Sequence, residues 1–317
     1  MKADLHVHSY HSGYARPFRW LRARDSYSSP FDVYRVAKAR GMDLVCLTDH
    51  DSIDGGLEFL NKYPDAPDFI LGEEIEAVFP DAPGLRVHLG ALGMTEAHHR
   101  EVQRLRSNVF DVASYLTQQN VFFGVNHLFF FFRDEMPAET YVARLMAAAP
   151  ALETRNGAML SEHNALIADI AVAARTAGRI IGVTGGSDAH TLRCIGTTYT
   201  ESPATTREEF MDDVRAGRAR VCGAHGGVVR MMAEVYASIF TFWRSLAGLE
   251  RHDLTAGQRV QGALYSIALL PFQFLPAAVA WRMHAGEARR VGAYRAAGIV
   301  GRTAPETAPA ATMLAPQ

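Results

Sequence analysis

Cysteine and lysine are both scarce in this 317-residue chain, which has three of each. The cysteines, Cys46, Cys194 and Cys222, form no CxxC pair. That absence excludes a thiolate zinc site and a disulfide framework of the kind found in small secreted proteins. We interpret each cysteine as a small buried hydrophobic residue in a reducing compartment.

Other absences narrow the classes of function. The formal net charge is only −2, so the chain lacks the basic excess of a general nucleic-acid-binding protein. Polar, histidine-rich sequence begins at Asp4, so no signal peptide is predicted and we expect a cytoplasmic protein. The GxGxxG pattern of dinucleotide-binding proteins is also absent.

What is present is an alternation of strand and helix patterns over roughly the first 225 residues. Short apolar runs such as 43–47 and 180–183 are typical of buried parallel strands, and Ser29-Pro30 is typical of a helix start. A hairpin is predicted within 75–92 and one long helix over 95–119. This alternation predicts an α/β domain; if its sheet closes into a barrel, the active site lies at the carboxyl ends of the strands.

The character of the sequence changes after residue 227. We therefore divide the chain into a domain of residues 1–227, a helical appendage of residues 228–300, and an Ala/Pro-rich tail of residues 301–317 that is expected to be disordered. Within the appendage, residues 264–281 are nearly uncharged, at the short end for a membrane span. Two prolines in that stretch favour a broken helix over a spanning one.

Histidines and carboxylates recur where the predicted strands end. His6 and His8 are two residues apart on a strand, so both side chains point to one face and can meet on one metal ion. Asp188 and His190 have the same spacing in a glycine-rich turn after another strand. Each pair alone is also compatible with ordinary surface residues.

Three further segments add to this pattern. Asp49 and His50 directly follow an apolar run, where an acidic and a basic side chain are costly unless a cation lies among them; a cap on the next helix is the alternative for the acid. His88 and His127 also lie in or after apolar runs, although a lone histidine there is more often part of the core.

The acidic segment Gly72-Glu73-Glu74-Ile75-Glu76 is the remaining candidate. Alternation along a strand puts Glu74 and Glu76 on one face and Glu73 on the other, and one of these carboxylates is suited to bridging two metals. A solvated acidic strand is the alternative. Taken together, five strand ends carry nitrogen and oxygen ligands without thiolates, a set that suits zinc, manganese or iron.

In order and approximate spacing, these motifs resemble the polymerase and histidinol phosphatase (PHP) family. The resemblance covers residue 3 to about residue 225 and rests on DLHVHS at 4–9, LTDHD at 47–51, GEEIE at 72–76, VHL at 87–89, NHL at 126–128 and GSDAH at 186–190. It implies a distorted (β/α)7 barrel of the PHP type, with a C-terminal helical appendage in this chain, and two or three divalent metal ions.

The resemblance also implies a ligand set. The first ion is held by His6, His8, Glu73 and Asp188; Glu73 bridges to a second ion held by His88 and His127; His50 and His190 serve a third. Family members with three metals commonly have an aspartate after the first motif, where this chain has Gly13, so the third site is left open. Asn126 and Glu153, at strand ends, are expected to orient ligand imidazoles.

The implied function is hydrolysis of a small phosphate ester, such as a nucleotide or sugar phosphate, by a metal-activated hydroxide. Asp49 is expected to be catalytic. Arg155 and Arg193, just beyond a strand end and the GSDAH turn, are expected to neutralise the phosphate; solvated surface arginines are the alternative. A different function, favoured by Gly13, is a catalytically silent metal-binding regulatory module.

The expected partner is a small phosphorylated substrate, without a stable nucleic-acid complex. Residues 228–300 are expected either to pack on the domain, to touch a membrane peripherally, or to form a homo-oligomer.

Overall fold

A computed structural model describes residues 1–15, 19–20, 22–250 and 254–302 of the chain. Nine strands are found in this part: β1 Lys2–Asp4, β2 Leu44–Leu47, β3 Phe69–Phe79, β4 Ala82–Leu92, β5 Phe122–Val125, β6 Ala151–Asn156, β7 Gly182–Gly186, β8 Thr198–Glu201 and β9 Arg220–Gly223. They form one sheet in the order β7-β6-β5-β4-β3-β2-β1-β8-β9.

Eleven α-helices accompany these strands in the described residues. They are α1 Pro30–Ala39, α2 Asp54–Lys62, α3 Glu96–Leu105, α4 Val109–Gln118, α5 Ala138–Ala148, α6 Ser161–Thr176, α7 Arg207–Arg215, α8 Val228–Leu246, α9 Ala256–Ala268, α10 Leu275–Ala296 and α11 Ile299–Arg302.

Strand direction sets where the site forms. The pairs β1–β2, β2–β3, β5–β6 and β6–β7 are parallel, whereas β4 and β8 are antiparallel to both of their neighbours. Seven of the nine strands therefore run in the same direction. Their carboxyl ends lie on one side of the sheet, so the loops that follow them meet there.

The sheet nearly closes into a barrel because β7 returns to lie beside β1. The backbone NH of Asp188 donates to the carbonyl of His6 at 2.8 Å, and the NH of His8 donates to the carbonyl of Ala189 at 3.0 Å. Gly186 permits this approach, since a Cβ built there would lie 2.3 Å from the Cβ of His6. The predicted α/β barrel with C-terminal helices is confirmed.

Individual elements differ from the predictions in two places. The single helix predicted over 95–119 is two helices, α3 and α4, because Asn108 adopts an extended conformation and its side chain accepts a hydrogen bond from the NH of Phe110 as an N-cap. The sequence analysis also assigned no strand after 180–183, whereas β8 and β9 extend the sheet beyond β1.

The C-terminal helices pack on the domain through α10. The imidazole Nδ1 of His163 in α6 lies 2.6 Å from Oε1 of Glu287, both side chains being buried. Tyr294 donates from its hydroxyl to Asp134 at 2.9 Å and belongs to the largest hydrophobic core. The predicted tail of residues 301–317 lies almost wholly outside the described residues.

Within the described residues, no single helix is long and apolar enough to cross a membrane. The helical segments Ala256–Ala268 and Leu270–Ala296 reach that length and hydropathy only when taken together, and they are bent by 57° at the break between them.

Candidate metal centre

The loops at the carboxyl ends of the strands collect the candidate ligands into one cluster. Six imidazoles and three carboxylates face one another there: His6, His8, Asp25, His50, Glu74, His88, His127, Asp188 and His190. Their nitrogen and oxygen atoms form overlapping groups of three within 4.8 Å, such as His50, Glu74 and His88. Of the eight residues predicted as metal ligands, the structure brings seven together.

Glu74, in the middle of β3, is the centre of this cluster and is fully buried. Its Oε1 lies 3.2 Å from Nε2 of His6 and 3.1 Å from both Nδ1 of His88 and Nε2 of His127. Its Oε2 lies 2.8 Å from Nδ1 of His50 and 3.6 Å from Nε2 of His8. A carboxylate that contacts five imidazoles has the position and the two oxygens that a ligand shared by two metal ions would need.

Glu73, the predicted bridging ligand, points to the opposite face of β3. Its Oε2 lies 3.0 Å from Nδ1 of His99, and its Oε1 accepts a hydrogen bond of 2.7 Å from Gln103, both in α3. Successive side chains of a strand alternate between faces, so only one of two adjacent glutamates can face the barrel interior. The assignment of the bridge to Glu73 is wrong, and Glu74 takes that place.

Asp188 joins the two histidines of the first motif. Its Oδ1 lies 3.5 Å from Nε2 of His6 and 3.3 Å from Nε2 of His8, and its Oδ2 accepts a hydrogen bond of 3.1 Å from Asn156. Asp188 has a φ of +52°, a left-handed conformation that is unfavourable for a residue other than glycine. Strained residues of this kind concentrate at functional sites.

Asp25 supplies the carboxylate that Gly13 was thought to remove. Its Oδ2 lies 3.0 Å from Nε2 of His190 and 3.3 Å from Nε2 of His50. The backbone NH of Asp25 donates to the carbonyl of Gly13 at 3.0 Å, which folds the loop back so that the later residue reaches this corner. The sequence held one available signal: Asp25 is the only acidic residue between His8 and Ser29.

The corner formed by Asp25, His50 and His190 is also the more open part of the cluster. About a quarter of each of these side chains is exposed, whereas the side chains of His6, His8 and Glu74 are buried. A small ligand therefore reaches the cluster from this side.

Asp25→Asn is expected to lower the bound metal by one ion per chain, because the exposed corner loses the carboxylate that contacts both His50 and His190 while the buried ligands stay in place. Metal analysis of the purified variant measures the effect. Asp65→Asn, at an exposed aspartate in the loop before β3, is the matched control. Unchanged metal content in Asp25→Asn contradicts the assignment.

Glu153 contacts a cluster imidazole, as the sequence analysis predicted, whereas Asn126 contacts the central carboxylate instead of an imidazole. Oε1 of Glu153 lies 2.9 Å from Nδ1 of His6, and its Oε2 accepts a hydrogen bond of 3.0 Å from the backbone NH of His127. The side-chain amide of Asn126 donates to Oε1 of Glu74 at 2.9 Å. Contacts of this kind fix the orientation of an imidazole and leave its other nitrogen for a metal.

Asp49, predicted to be catalytic, lies behind the cluster rather than in it. Its carboxylate accepts hydrogen bonds from the NH and hydroxyl of Ser9 at 2.6 and 2.7 Å and from the hydroxyl of Ser12 at 2.7 Å. Burial raises the pKa of Asp49, although these hydrogen bonds act in the opposite direction. Because Ser12 in turn contacts Nδ1 of His8 at 3.0 Å, Asp49 is a positioning residue for the first loop.

The two predicted phosphate-binding arginines also lie elsewhere. Nη1 of Arg155 donates to the carbonyl of Gly223 at 2.9 Å, and the side chain of Arg193 is exposed. Among the contacts found in the described residues, neither guanidinium pairs with a cluster carboxylate. Their prediction as catalytic groups therefore has no structural support here.

The histidines of the cluster have pKa values shifted in opposite directions. Burial alone lowers the pKa of His6, but Glu74, Asp188 and Glu153 outweigh burial and hold that pKa well above its usual value. Burial also lowers the pKa of His8, as do the neighbouring imidazoles of His190 and His50, and that pKa falls to about 3. Neighbouring imidazoles are thus pushed in opposite directions, which is the expected result of crowding ionisable groups in a site that needs cations.

The best test of metal binding is the set of buried polar atoms that lack a protein partner. Seven buried side-chain nitrogen and oxygen atoms in the described residues make no well-aligned hydrogen bond, and four of them are Nε2 of His6, Nε2 of His8, Nδ1 of His88 and Oε2 of Glu74. Leaving such an atom unsatisfied costs about 1–3 kcal/mol. These four belong to the one cluster, whereas the other three, on His98, His163 and His284, lie outside it. A divalent cation satisfies nitrogen and oxygen lone pairs that face one another in this way, so the residues fit a multinuclear metal site.

An aromatic wall borders the buried side of the cluster. The ring of Phe131 is centred 4.6 Å from that of His88, and the ring of Phe130 is centred 5.4 Å from that of His127. Both side chains are half-buried, unlike Phe129 and Phe132, which belong to the core. The wall limits water around two of the ligands and offers an apolar surface to a bound molecule.

Two parts of the sequence are similar to known proteins. Residues 174–219 match a family described as PHP-associated. The chain is also 45% identical over 58 residues to an uncharacterized protein of Methanocaldococcus jannaschii, a match that covers 18% of this chain and 33% of that protein. The match therefore spans about a third of the length of this curated relative.

Two solved structures are distantly similar. One is a two-domain protein from Bacteroides vulgatus containing a predicted PHP-like metal-dependent phosphoesterase, with 17% identity, a TM-score of 0.44, and 71% of this chain and 65% of that chain covered. The other is an amidohydrolase from Chromobacterium violaceum with bound sulfate and no metal, with 15% identity, a TM-score of 0.48, and 66% and 96% covered. Similarities this weak say nothing about the reaction. The prediction that the chain is PHP-like is confirmed by the family match over residues 174–219, the segment that brings Asp188 and His190 into the metal cluster.

Proposed function

We propose that this protein is a metal-dependent hydrolase that cleaves the phosphate ester of a small molecule, such as a nucleotide or a sugar phosphate. The observation that supports this most is the position of Glu74, a buried carboxylate within 3.6 Å of five imidazoles. Such a carboxylate would hold two cations close together, and two neighbouring cations are an arrangement suited to phosphoester hydrolysis.

The residues that would hold the ions divide into three groups around that centre. His6, His8, Asp188 and Glu74 suit one ion; Glu74, His88 and His127 suit a second; Asp25, His50 and His190 suit a third. When bound, zinc, manganese or iron lowers the pKa of a water from ~15.7 towards neutrality and offsets the negative charge of a phosphoryl group. The proposed substrate therefore meets its nucleophile at the cluster.

The protein's own residues orient and shield this centre. Glu153 engages Nδ1 of His6, so that Nε2 of the same ring points into the cluster. Phe130 and Phe131 keep water from His88 and His127, and their exposed ring surface suits a substrate with a planar or apolar leaving group. We further propose action in a reducing compartment such as the cytoplasm, which the three free cysteines support.

The competing function is a catalytically silent metal-binding module. The sequence argument for such a module was that Gly13 replaces an aspartate of the family pattern. Asp25 places a carboxylate beside His50 and His190, so this replacement no longer favours an inactive protein. A stable nucleic-acid complex is not part of the proposal, because residues 1–227 contain 23 basic and 29 acidic side chains.

Purified protein loaded with zinc, manganese or anaerobic ferrous iron is expected to hydrolyse an aryl phosphate, nucleotides or sugar phosphates in a metal-dependent reaction. His8→Ala removes a buried ligand and is expected to lower the rate about 10³-fold; His98→Ala, in α3 away from the cluster, is the matched control. Stoichiometric metal without turnover of any mono- or diester supports the silent module instead. Failure to take up metal contradicts both functions.

A further inference from the structure

The exposed hydrophobic side chains of this protein are concentrated at one place. Large apolar residues between 49% and 65% exposed follow one another around the bend between α9 and α10, and we call them the apolar crest: Leu264, Ile267, Leu270, Phe272, Phe274 and Trp281. Exposed apolar side chains of the α/β domain, such as Val172 and Ile180, are fewer and lie apart from this bend. A group of neighbouring exposed apolar side chains marks an interaction surface.

The charge around the crest identifies the kind of partner. No acidic residue occurs from residue 254 to 286, and residues 228–302 contain nine arginines against four acidic side chains. Glu287, the next acid along the chain, is buried against His163. Arg282 and Arg289 are exposed and seven residues apart on α10, which puts them on one face of that helix. This part of the chain therefore combines the exposed apolar side chains of the crest with exposed arginines on α10.

We propose that the apolar crest inserts into the surface of an anionic lipid bilayer. Helical segments that combine an exposed apolar face with arginines bind in the headgroup region of such membranes. Trp281 and Tyr265 suit that depth, because amphipathic rings accumulate at the membrane–water interface. A second copy of the chain fits less well, since each crest would bring its arginines against a partner surface that has no acidic side chain from residue 254 to 286.

Tyr265, next to Leu264 of the crest, contacts the N-terminal part of the chain. The ring of Tyr265 in α9 makes an edge contact with the ring of Trp20, with 4.8 Å between the centroids. Trp20 lies in the segment between the first histidine pair and Asp25, so α9 packs against a residue of the loop that carries Asp25. The proposal concerns binding only and does not depend on the hydrolytic function.

The test is co-sedimentation of the full-length protein with sucrose-loaded vesicles. Vesicles of phosphatidylcholine with 30% phosphatidylglycerol are expected to bind the protein at least about tenfold more strongly than phosphatidylcholine alone, and 1 M salt should remove most of that difference. Emission of Trp281 should shift to shorter wavelength on binding, and Trp281→Phe should lose most of that shift. Arg282→Gln and Arg289→Gln should each weaken binding about fivefold.

A triple variant tests whether vesicle binding depends on the apolar crest or on nonspecific hydrophobic adsorption. Leu270→Ser, Phe272→Ser and Phe274→Ser together are expected to lower vesicle binding more than about a hundredfold, because three apolar side chains no longer enter the bilayer. The matched control changes Tyr63, Val172 and Ile180, exposed apolar residues of the α/β domain, to serine and should bind normally. Circular dichroism and metal uptake check that both variants fold.

Two results overturn the proposal. One is equal or absent binding to the anionic and neutral vesicles. The other is a dimer, measured by light scattering without lipid, that the triple variant converts to a monomer while neither protein binds vesicles; the crest is then the contact between two copies.

Discussion

Glu74→Gln is expected to abolish tight metal binding and to lower metal-dependent hydrolysis by 10³-fold or more, on the order of the loss of a central electrostatic group. A neutral amide keeps the shape of the side chain but removes the charge that faces five imidazoles. Because an amide offers only one oxygen as a ligand, it cannot bridge two ions as a carboxylate does. Metal analysis and kcat/KM for an aryl phosphate measure the two losses.

Glu73→Gln is the matched control, since it makes the same chemical change one residue away on the same strand. Its carboxylate faces His99 and Gln103 in α3, so the variant should keep its metal and most of its activity. Its expected cost is about 1–3 kcal/mol of stability, because a buried charge-assisted hydrogen bond weakens. The reverse result, with Glu73→Gln inactive and Glu74→Gln active, would return the bridge to the position that the family pattern implied.

The contrast between these glutamates explains what the sequence could predict. Alternation along β3 separated Glu73 from Glu74, but it did not say which face is the inner one. Both side chains are fully buried, one under α3 and one in the barrel interior, so hydrophobicity gives no direction. The decision depends on the packing of α3 on the sheet, which is a long-range contact.

The ligands at strand ends were predictable because they depend on local rules. His6 and His8 lie beyond the end of β1, yet the chain stays extended, as the parallel bridge between Val7 and Ala189 indicates, and the period of two still applies. Parallel strands then bring Asp188 and His190 to the same edge of the sheet. Alternation and strand direction therefore accounted for these two pairs, whereas the assignment of His50, His88 and His127 as ligands came from the resemblance to the PHP family.

Asp25 was missed because its place depends on how a loop folds. It lies 17 residues after His8, and its approach to His50 and His190 is set by a backbone hydrogen bond to Gly13. No periodic pattern encodes such a closure. The predicted role of Arg155 also depended on long-range packing. Arg155 lies at a strand end as predicted, but its guanidinium donates to the carbonyl of Gly223 in β9, a strand that the sequence analysis did not assign.

Removing metal is expected to destabilise the folded protein by about 4 kcal/mol relative to protein with free metal at about a thousand times its dissociation constant. For a chain of this size that corresponds to a fall in Tm on the order of 10 °C. The physical reason is that four buried atoms of the cluster, on His6, His8, His88 and Glu74, make no well-aligned hydrogen bond within the protein. Differential scanning calorimetry of chelated and reloaded protein measures the shift.

Two variants decide whether the shift comes from the cluster. Glu74→Gln should unfold at nearly the same temperature with and without added metal, because its central ligand is gone, whereas Glu73→Gln should keep the full difference. If metal raises the Tm of both variants equally, the metal is bound elsewhere. If chelation leaves the Tm of the wild-type protein unchanged, these buried nitrogens and oxygens are satisfied by something other than cations. Since the measurement needs no substrate, it tests the metal centre separately from the proposed hydrolysis.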